Sequence, residues 1–383
     1  FTVSTSSKPY KNKYVKNPVY NKHTKHYLTL RSYLDEMSKK GGGTLTIKKG
    51  TYNISNALLV PSNVKILLQD GVVMNKIGNS HTKKLKAGHV MFECVRSSRI
   101  NKKGVVGKYN GEKNIQIIGE GTVIMNLSGC NKSEAIRVPH CKNVLIITFT
   151  NLRDGHFIEV TASKDVTVQN CTFKNNLSGE RCAINLDTPD KVTNGFNGKY
   201  SKFDKTPVLN VTIQNCGFYN LHRGIDTHRF SPNKYHTNVQ ILGCTFKDSV
   251  QSPIMMLNWK NAVIKGNTID TVKGWSTNNI QKEKFAIYMR GGVIDPIISE
   301  NRMNGVYMPF YAKGHKESAG DIAARYAATY NSISAASIES MKNNILGDNC
   351  ILRYFAINRK GTLYIAKSEK HYDKYYIEPV QAQ

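Results

Sequence analysis

Carboxylates, an imidazole and a guanidinium recur in short segments of alternating polarity: His156-Phe-Ile-Glu159-Val, Cys182-Ala-Ile-Asn-Leu-Asp187, Gly224-Ile-Asp-Thr-His228, Ile254-Met-Met-Leu-Asn-Trp259 and Ala286-Ile-Tyr-Met-Arg290. Side chains on a strand alternate between faces. If Ile184, Leu186, Ile225, Ile287 and Met289 face a core, then Asn185, Asp187, Asp226, His228, Tyr288 and Arg290 face outward, with Met255 and Leu257. The same alternation places Phe157 with Glu159 on one face and His156 with Ile158 on the other. Stacked strands would collect Glu159, Asp187, Asp226, His228, Tyr288 and Arg290 into one column.

That column could do three kinds of chemistry. Two carboxylates roughly 5 to 9.5 Å apart hydrolyse a glycosidic bond, and Asp187 with Asp226 is the candidate pair. A lyase would need a base, for which Arg290, Arg223 and His228 are candidates, and a cation such as Ca²⁺ held by Glu159 and Asp187. A site that only binds sugar needs polar groups and ring faces; Glu159, Asn185, Asp187, Asp226, His228, Arg229, Tyr235, His236, Tyr288 and Arg290 form that candidate set. The plain alternative is ordinary polar surface. Two segments, Thr188 to Leu209 and Arg229 to Thr237, are rich in Asn, Lys, Tyr and Pro and are expected to stand as walls beside the column. The eight cysteines show no CxxC or Cys/His metal spacing. No cofactor is expected, apart from Ca²⁺ in the lyase case.

The elements that position these residues come from a repeat. Asp165-Val-Thr-Val-Gln-Asn-Cys171-Thr-Phe173 returns as Asn210-Val-Thr-Ile-Gln-Asn-Cys216-Gly-Phe218, as Asn238-Val-Gln-Ile-Leu-Gly-Cys244-Thr-Phe246 and as Asn261-Ala-Val-Ile-Lys-Gly-Asn267-Thr-Ile269. Weaker copies begin at Asn63, Asn114 and Asn143. The spacing is about 22 to 29 residues, or about 45 across a long loop, which is a solenoid period. Short alternating strands with no helix in each repeat fit a coil of stacked β-structure. The predicted class is therefore all-β: a right-handed parallel β-helix, with Cys171, Cys216 and Cys244 in one inward ladder and Phe173, Phe218 and Phe246 in another. The cysteines read as small buried hydrophobes.

Such a solenoid needs caps. Leu30 to Lys39 has helical spacing, with Leu30, Tyr33, Leu34 and Met37 on one face, and Gly41-Gly42-Gly43 stops it. Thr44 to Tyr52 reads as the first strand and turn. The expected organisation is an N-terminal arm (1–27), a β-helix (28–310) and C-terminal coils or a cap with a short helix (311–383), the helix over Asp321 to Tyr330 and renewed alternation over Ile351 to Ile377.

Lys and Arg number 54 against 27 acids, for a net charge of +27. Such a surface draws polyanions, yet the standard nucleic-acid-binding motifs are missing. No segment reaches the ~18 apolar residues of a membrane span. A chain opening on Phe1 with no visible signal peptide reads as a piece of something longer.

The words LRSYLDEMSKKGGGTLTIKKGTYNI, GHFIEVTASKDVTVQN, AINLDTPD, RGIDTHRF with KYH, and LNW resemble right-handed β-helix repeat proteins exported by Gram-positive bacteria, lactobacilli and their relatives especially. They cover roughly residues 28 to 270. The resemblance implies a pectate-lyase-like fold, a secreted or cell-surface location and a glycan-related role, either as a polysaccharide-active enzyme or as an adhesin supporting aggregation. Two positions depart from it: Cys182 stands where an acid usually precedes Ala-Ile, and Ile254-Met-Met256 replaces a segment that often carries Arg. The NTD, GHG and RIK words of family 28 polygalacturonases are also missing. The leading expectation is an adhesin for acidic polysaccharide or host and bacterial surface glycans, promoting aggregation and biofilm, with self-association as a further mode. The alternative is a polysaccharide lyase or glycoside hydrolase working in the groove.

Overall fold

The computed structural model describes residues 1–16, 18–148, 150–152, 156–177, 181–274, 284–312, 329, 331–358 and 372–377. Among them the strands sort into three long parallel sheets of eleven, nine and ten strands. Successive coils pair in register: Val166 lies on Val211, and Val211 on Val239, in the first sheet; Phe173 lies on Phe218, and Phe218 on Phe246, in the third. The fold is a right-handed parallel β-helix, as the repeat predicts.

The corners explain why the repeat begins and continues with Asn. Asn63, Asn114, Asn143, Asp165, Asn210, Asn238 and Asn261 all adopt φ between 53° and 60°. This left-handed region is one that Asn and Asp tolerate better than other non-glycine residues. Their amides link coil to coil: Asn114 donates to Asn63 at 2.8 Å, Asn143 to Asn114 at 2.9 Å, Asn210 to Asp165 at 2.9 Å and Asn238 to Asn210 at 3.1 Å. A second corner uses Asn170, Asn215, Gly243 and Gly266, and a third uses Asn175, Asn220 and Gly305, all at positive φ.

Inside, Phe173, Phe218 and Phe246 are fully buried and stack, with ring centroids 5.0 and 4.5 Å apart. Cys171, Cys216 and Cys244 are buried free thiols. Each donates to the carbonyl two residues earlier, Gln169, Gln214 and Leu242 respectively. The ladder then changes chemistry: Asn267, Asn301 and Asn344 continue it as buried amides that bond one another at 2.8 and 2.9 Å.

The Lys25–Lys40 helix closes the N-terminal end, burying Leu30, Leu34 and Met37. Gly41 at φ 85° terminates it. The segment before this helix differs from the arm expected of its polar composition. Thr2–Val3 pairs with Thr46 and Ile47 as an extra strand of the first sheet, Val3 enters the core, and Phe1 packs edge-on against Tyr10 and Tyr33. A β-helix end leaves unpaired backbone groups, and these residues cover them. At the other end Ala335–Lys342 packs on the edge strand Ile297–Ser299, with Ser340 Oγ accepting from Ile298 N. Tyr354–Asn358 pairs antiparallel with Tyr372–Tyr376 and sets Phe355 against Phe310. The helix expected over Asp321 to Tyr330 falls almost wholly outside the described residues.

Candidate functional site

The nine-stranded sheet carries the candidate residues. Its register aligns Glu93, Arg137, Glu159, Asn185, Asp226, Met255, Tyr288 and Tyr311 across successive coils. Thr161 lies on Asp187 in the neighbouring position. Glu93 and Arg137 lie in the same file although the alternation argument did not reach them. The available signal was spacing: Arg137 and Glu159 each stand six residues before the left-handed Asn143 and Asp165.

Strict alternation fails at the start of these strands. Phe157 and Ile158 are both core residues, as are Ala135 with Ile136 and Ala183 with Ile184. Phe157 therefore does not share a face with Glu159; it packs 5.6 Å from Phe173 inside the coil. Two successive inward residues at a bend let the residues on either side, three apart, meet outside. Glu134 takes Arg137 in a two-pronged bond at 2.6 and 2.7 Å, and Arg223 donates to Asp226 at 2.8 Å. At the corresponding positions of the intervening coils, His156 Nδ1 lies 3.3 Å from Cys182 Sγ.

The two insertions do not stand beside this file as walls; they lie across it. Tyr200 is buried and donates to Glu93 at 2.6 Å, and Phe196 covers the Arg137 guanidinium at 5.6 Å from its ring centroid. Both rings pack with Leu59, Val95 and Val106. His140 fixes this cover, bonding Ser201 Oγ at 2.8 Å and the Lys108 carbonyl at 2.7 Å. The second insertion turns down directly after Asp226: His228 N donates to Asn185 and Arg229 N to Asp187. Ser231 then ties the insertions together, bonding Thr188 at 2.6 Å and Asp190 at 2.8 Å. Polar loops built for water would not close this way; Phe196, Tyr200 and Phe230 supply the apolar surface that does.

As a result the expected acidic floor is sealed. Glu159 is 5 % exposed, and Asn185, Asp187 and Asp226 are each 1 % exposed. Asn185 Nδ2 sits between two carboxylates, donating to Glu159 at 2.8 Å and to Asp187 at 3.0 Å. Its amide hydrogens fill the place a cation bridging those oxygens would need, so Glu159 and Asp187 do not fit a Ca²⁺ site. Among the described residues no group of three or more His, Cys, Asp or Glu could hold a metal ion. His236 is also buried, accepting from Val208 N at 3.0 Å, and burial depresses its imidazole to about 3. His228 is exposed, while Arg229, Tyr235, Tyr288 and Arg290 are half-buried. Arg290 reaches Asp226 only as an ion pair at 3.6 Å.

Burial governs the charge of this region. It raises Asp187 to about 8 and, with Asp187 beside it, holds Glu159 well above the usual carboxylate range. Burial thus disfavours the charged form of both, whereas Asp226 is ion-paired with Arg223 and lies 3.6 Å from Arg290. The groups of this region that reach solvent are His228, Arg229 and Arg290 rather than the carboxyls. A general acid or base must touch the atom it protonates, and neither Asp187 nor Asp226 presents an oxygen to water.

A pH dependence follows. A folded pKa above the unfolded value stabilises below the unfolded pKa, and that stability is lost as pH rises through the folded pKa. For Asp187 the loss runs from about 4 to about 8. Buried His236 and His156, at about 3 and about 4, act oppositely, but their contributions are complete by about 6.5. Asp187 should therefore contribute a fall in stability of about 1 kcal/mol per unit between pH 6.5 and 8, and Glu159, raised as well, adds to it in the same direction. Asp187→Asn should make that limb shallower in thermal melts; a limb unchanged in the variant would mean burial does not raise Asp187 in the fold.

No family model matches the chain. It is 26 % identical over 267 residues to plasmin and fibronectin-binding protein A of Streptococcus pneumoniae, covering 62 % of this chain and 36 % of that protein. The chain thus spans just over a third of that relative's length. It superposes on a crystal structure of PfbA, a surface adhesin of Streptococcus pneumoniae, with a TM-score of 0.61 at 19 % identity, covering 85 % of this chain and 75 % of the other. A second structure of that surface protein and adhesin gives a TM-score of 0.59 at 18 % identity, covering 91 % and 87 %. At these identities the likeness carries the fold.

Proposed function

We propose that this chain is the adhesive β-helix of a bacterial cell-surface protein, binding acidic polysaccharide or the glycans of host and neighbouring cell surfaces rather than cleaving them. The observation that carries this reading is the closed file of acids: Asp187 and Asp226 are 1 % exposed, bonded inside the protein and covered by two interlaced insertions. The likeness to a pneumococcal surface adhesin supports it. So does the net charge of +27, which favours polyanions over neutral partners. On this reading the groups that meet a glycan are the surface members of the candidate set, Tyr288, Arg290 and His228, with Tyr311, whose ring lies 5.1 Å from that of Tyr288. Rings stack on sugar faces and the guanidinium takes a carboxylate. Aggregation and biofilm would follow from the same attachment.

Sedimentation with polygalacturonate and with mucin should show binding that weakens as salt rises. Tyr288→Ala with Arg290→Ala should weaken it about tenfold, while Asp187→Asn should not. Immobilised fibronectin and plasmin, named for the pneumococcal relative, belong in the same panel. New reducing ends from any polysaccharide, lost in Asp226→Asn, would overturn the adhesive reading in favour of the enzyme.

A further inference from the structure

A cleft of about 520 Å³ lies between the N-terminal segment, the Lys25–Lys40 helix and the turn at Arg96–Ser98. It shares no residue with the sealed file. Lys13, Lys39 and Arg96 line it together with the hydroxyls of Ser38, Ser97 and Ser98. Its one lining carboxylate, Asp35, is saturated: it accepts from Tyr14 Oη, from Ser97 Oγ at 2.6 Å and from Arg31 Nε at 2.9 Å, the last an ion pair that offsets its charge. Behind the cleft two guanidiniums, Arg96 and Arg99, share the single buried carboxylate of Glu112. Lys13 and Lys39 are exposed and meet no carboxylate within ion-pair distance among the described residues; the Lys13 ammonium rests 5.0 Å from the Tyr14 ring centroid. The cleft therefore carries surplus positive charge, and the hydroxyls of Ser38 and Ser98 have no protein partner among the described residues.

The geometry of the donors selects among anions. A flat carboxylate is best held by a free guanidinium fork. The Arg96 fork is already engaged, with Nε and Nη2 both on Glu112 at 2.9 Å. What remains are two ammonium point charges and hydroxyls spread around a concave wall, which suit an oxyanion with oxygens in several directions. The volume lies within the range of pockets that hold a small ligand.

We propose that this cleft binds a sulfate or phosphate monoester carried on a saccharide. It is a second contact point, and its existence does not depend on how the nine-stranded sheet is used.

The test is calorimetric titration of the whole chain with chondroitin 4-sulfate disaccharide, its unsulfated counterpart and glucose 6-phosphate. The sulfated or phosphorylated sugar should bind at least about tenfold more tightly than the unsulfated one, and whichever of the two binds tighter identifies the ester. Lys13→Ala with Lys39→Ala should weaken that binding about tenfold. Lys83→Ala with Lys84→Ala removes equal charge from an exposed site elsewhere and should change it by less than about twofold. Equal affinity for all three sugars would overturn the proposal. So would equal loss in the two paired variants, which would reduce the effect to overall charge. Both lysine pairs are exposed, so thermal melts should match wild type. Polygalacturonate binding through Tyr288 and Arg290 is read separately and would survive either failure.

Discussion

Arg137→Ala is expected to destabilise the protein by about 3 to 5 kcal/mol, the scale for removing one member of a buried ion pair. The guanidinium holds Glu134 through two short bonds and Glu93 at 3.6 Å, and its side chain is 11 % exposed. Burial works against all these charges. The Arg137 guanidinium nonetheless keeps Glu134 below the usual carboxylate range, and Glu134 holds Arg137 well above its ordinary value. Truncation leaves Glu93, beneath Tyr200, and Glu134 without the guanidinium they share. The loss should shrink when Glu134→Gln and Glu93→Gln accompany Arg137→Met, since replacing a whole buried ionic group by neutral residues of similar volume is often close to neutral. Urea midpoints read at pH 7 test both statements. An Arg137→Ala midpoint at the wild-type value would mean that the cover opens and water reaches the carboxylates.

Phe218→Ala should cost a comparable amount, about 3 to 5 kcal/mol. Phe218 is fully buried and is the middle ring of a stack, with Phe173 on one side and Phe246 on the other, the latter pair only 9° from parallel. Removing the middle ring empties a space bounded by strands that are hydrogen-bonded above and below, so the coil cannot collapse to fill it. Phe246→Ala should cost less. Its far neighbour in register is Ile269 rather than a ring, and ring–ring contact adds only about 0.5 to 1.5 kcal/mol beyond area. Thermal melts of the two variants side by side would show the order; a reversed order would show that the stack does not set the core's rigidity.

These effects fall on residues of unequal visibility in the sequence. The Phe ladder is legible because each Phe sits eight residues after a left-handed corner Asn or Asp (Asp165, Asn210, Asn238), and a solenoid converts equal offsets into spatial neighbours. Arg137 was passed over because its strand, Glu134–Pro139, precedes one of the weaker repeat copies. The candidate carboxylates Asp187 and Asp226 were correctly placed on the strands of one sheet. Their exposure was misjudged, because alternation says which side of a strand a residue takes and nothing about what lies over that side. Phe157 was misplaced for a different reason: two inward residues in succession at a bend break the period of two. The i,i+3 charges Glu134 with Arg137 and Arg223 with Asp226 mark that bend, since such pairs point to opposite faces in a regular strand.

Local preference along the chain is enough to specify the coil. Left-handed corners at Asn, alternating inward residues and the capping spacing of Leu30, Leu34 and Met37 are local properties, and repetition makes local preference cooperative along the axis. The state of the polar file is set by long-range contacts instead. Whether the segments 188–209 and 229–237 rise as walls or lie flat depends on contacts between residues far apart in the chain, such as Tyr200 with Glu93 and Ser231 with Thr188. That closure removes water and so raises Asp187 and Glu159 toward their uncharged forms. The same residues that would form an acidic groove if solvated become a buried seam bordered by arginines, in which the charged carboxylate is disfavoured, because the cost of charging a carboxyl depends on the dielectric around it rather than on its neighbours in sequence.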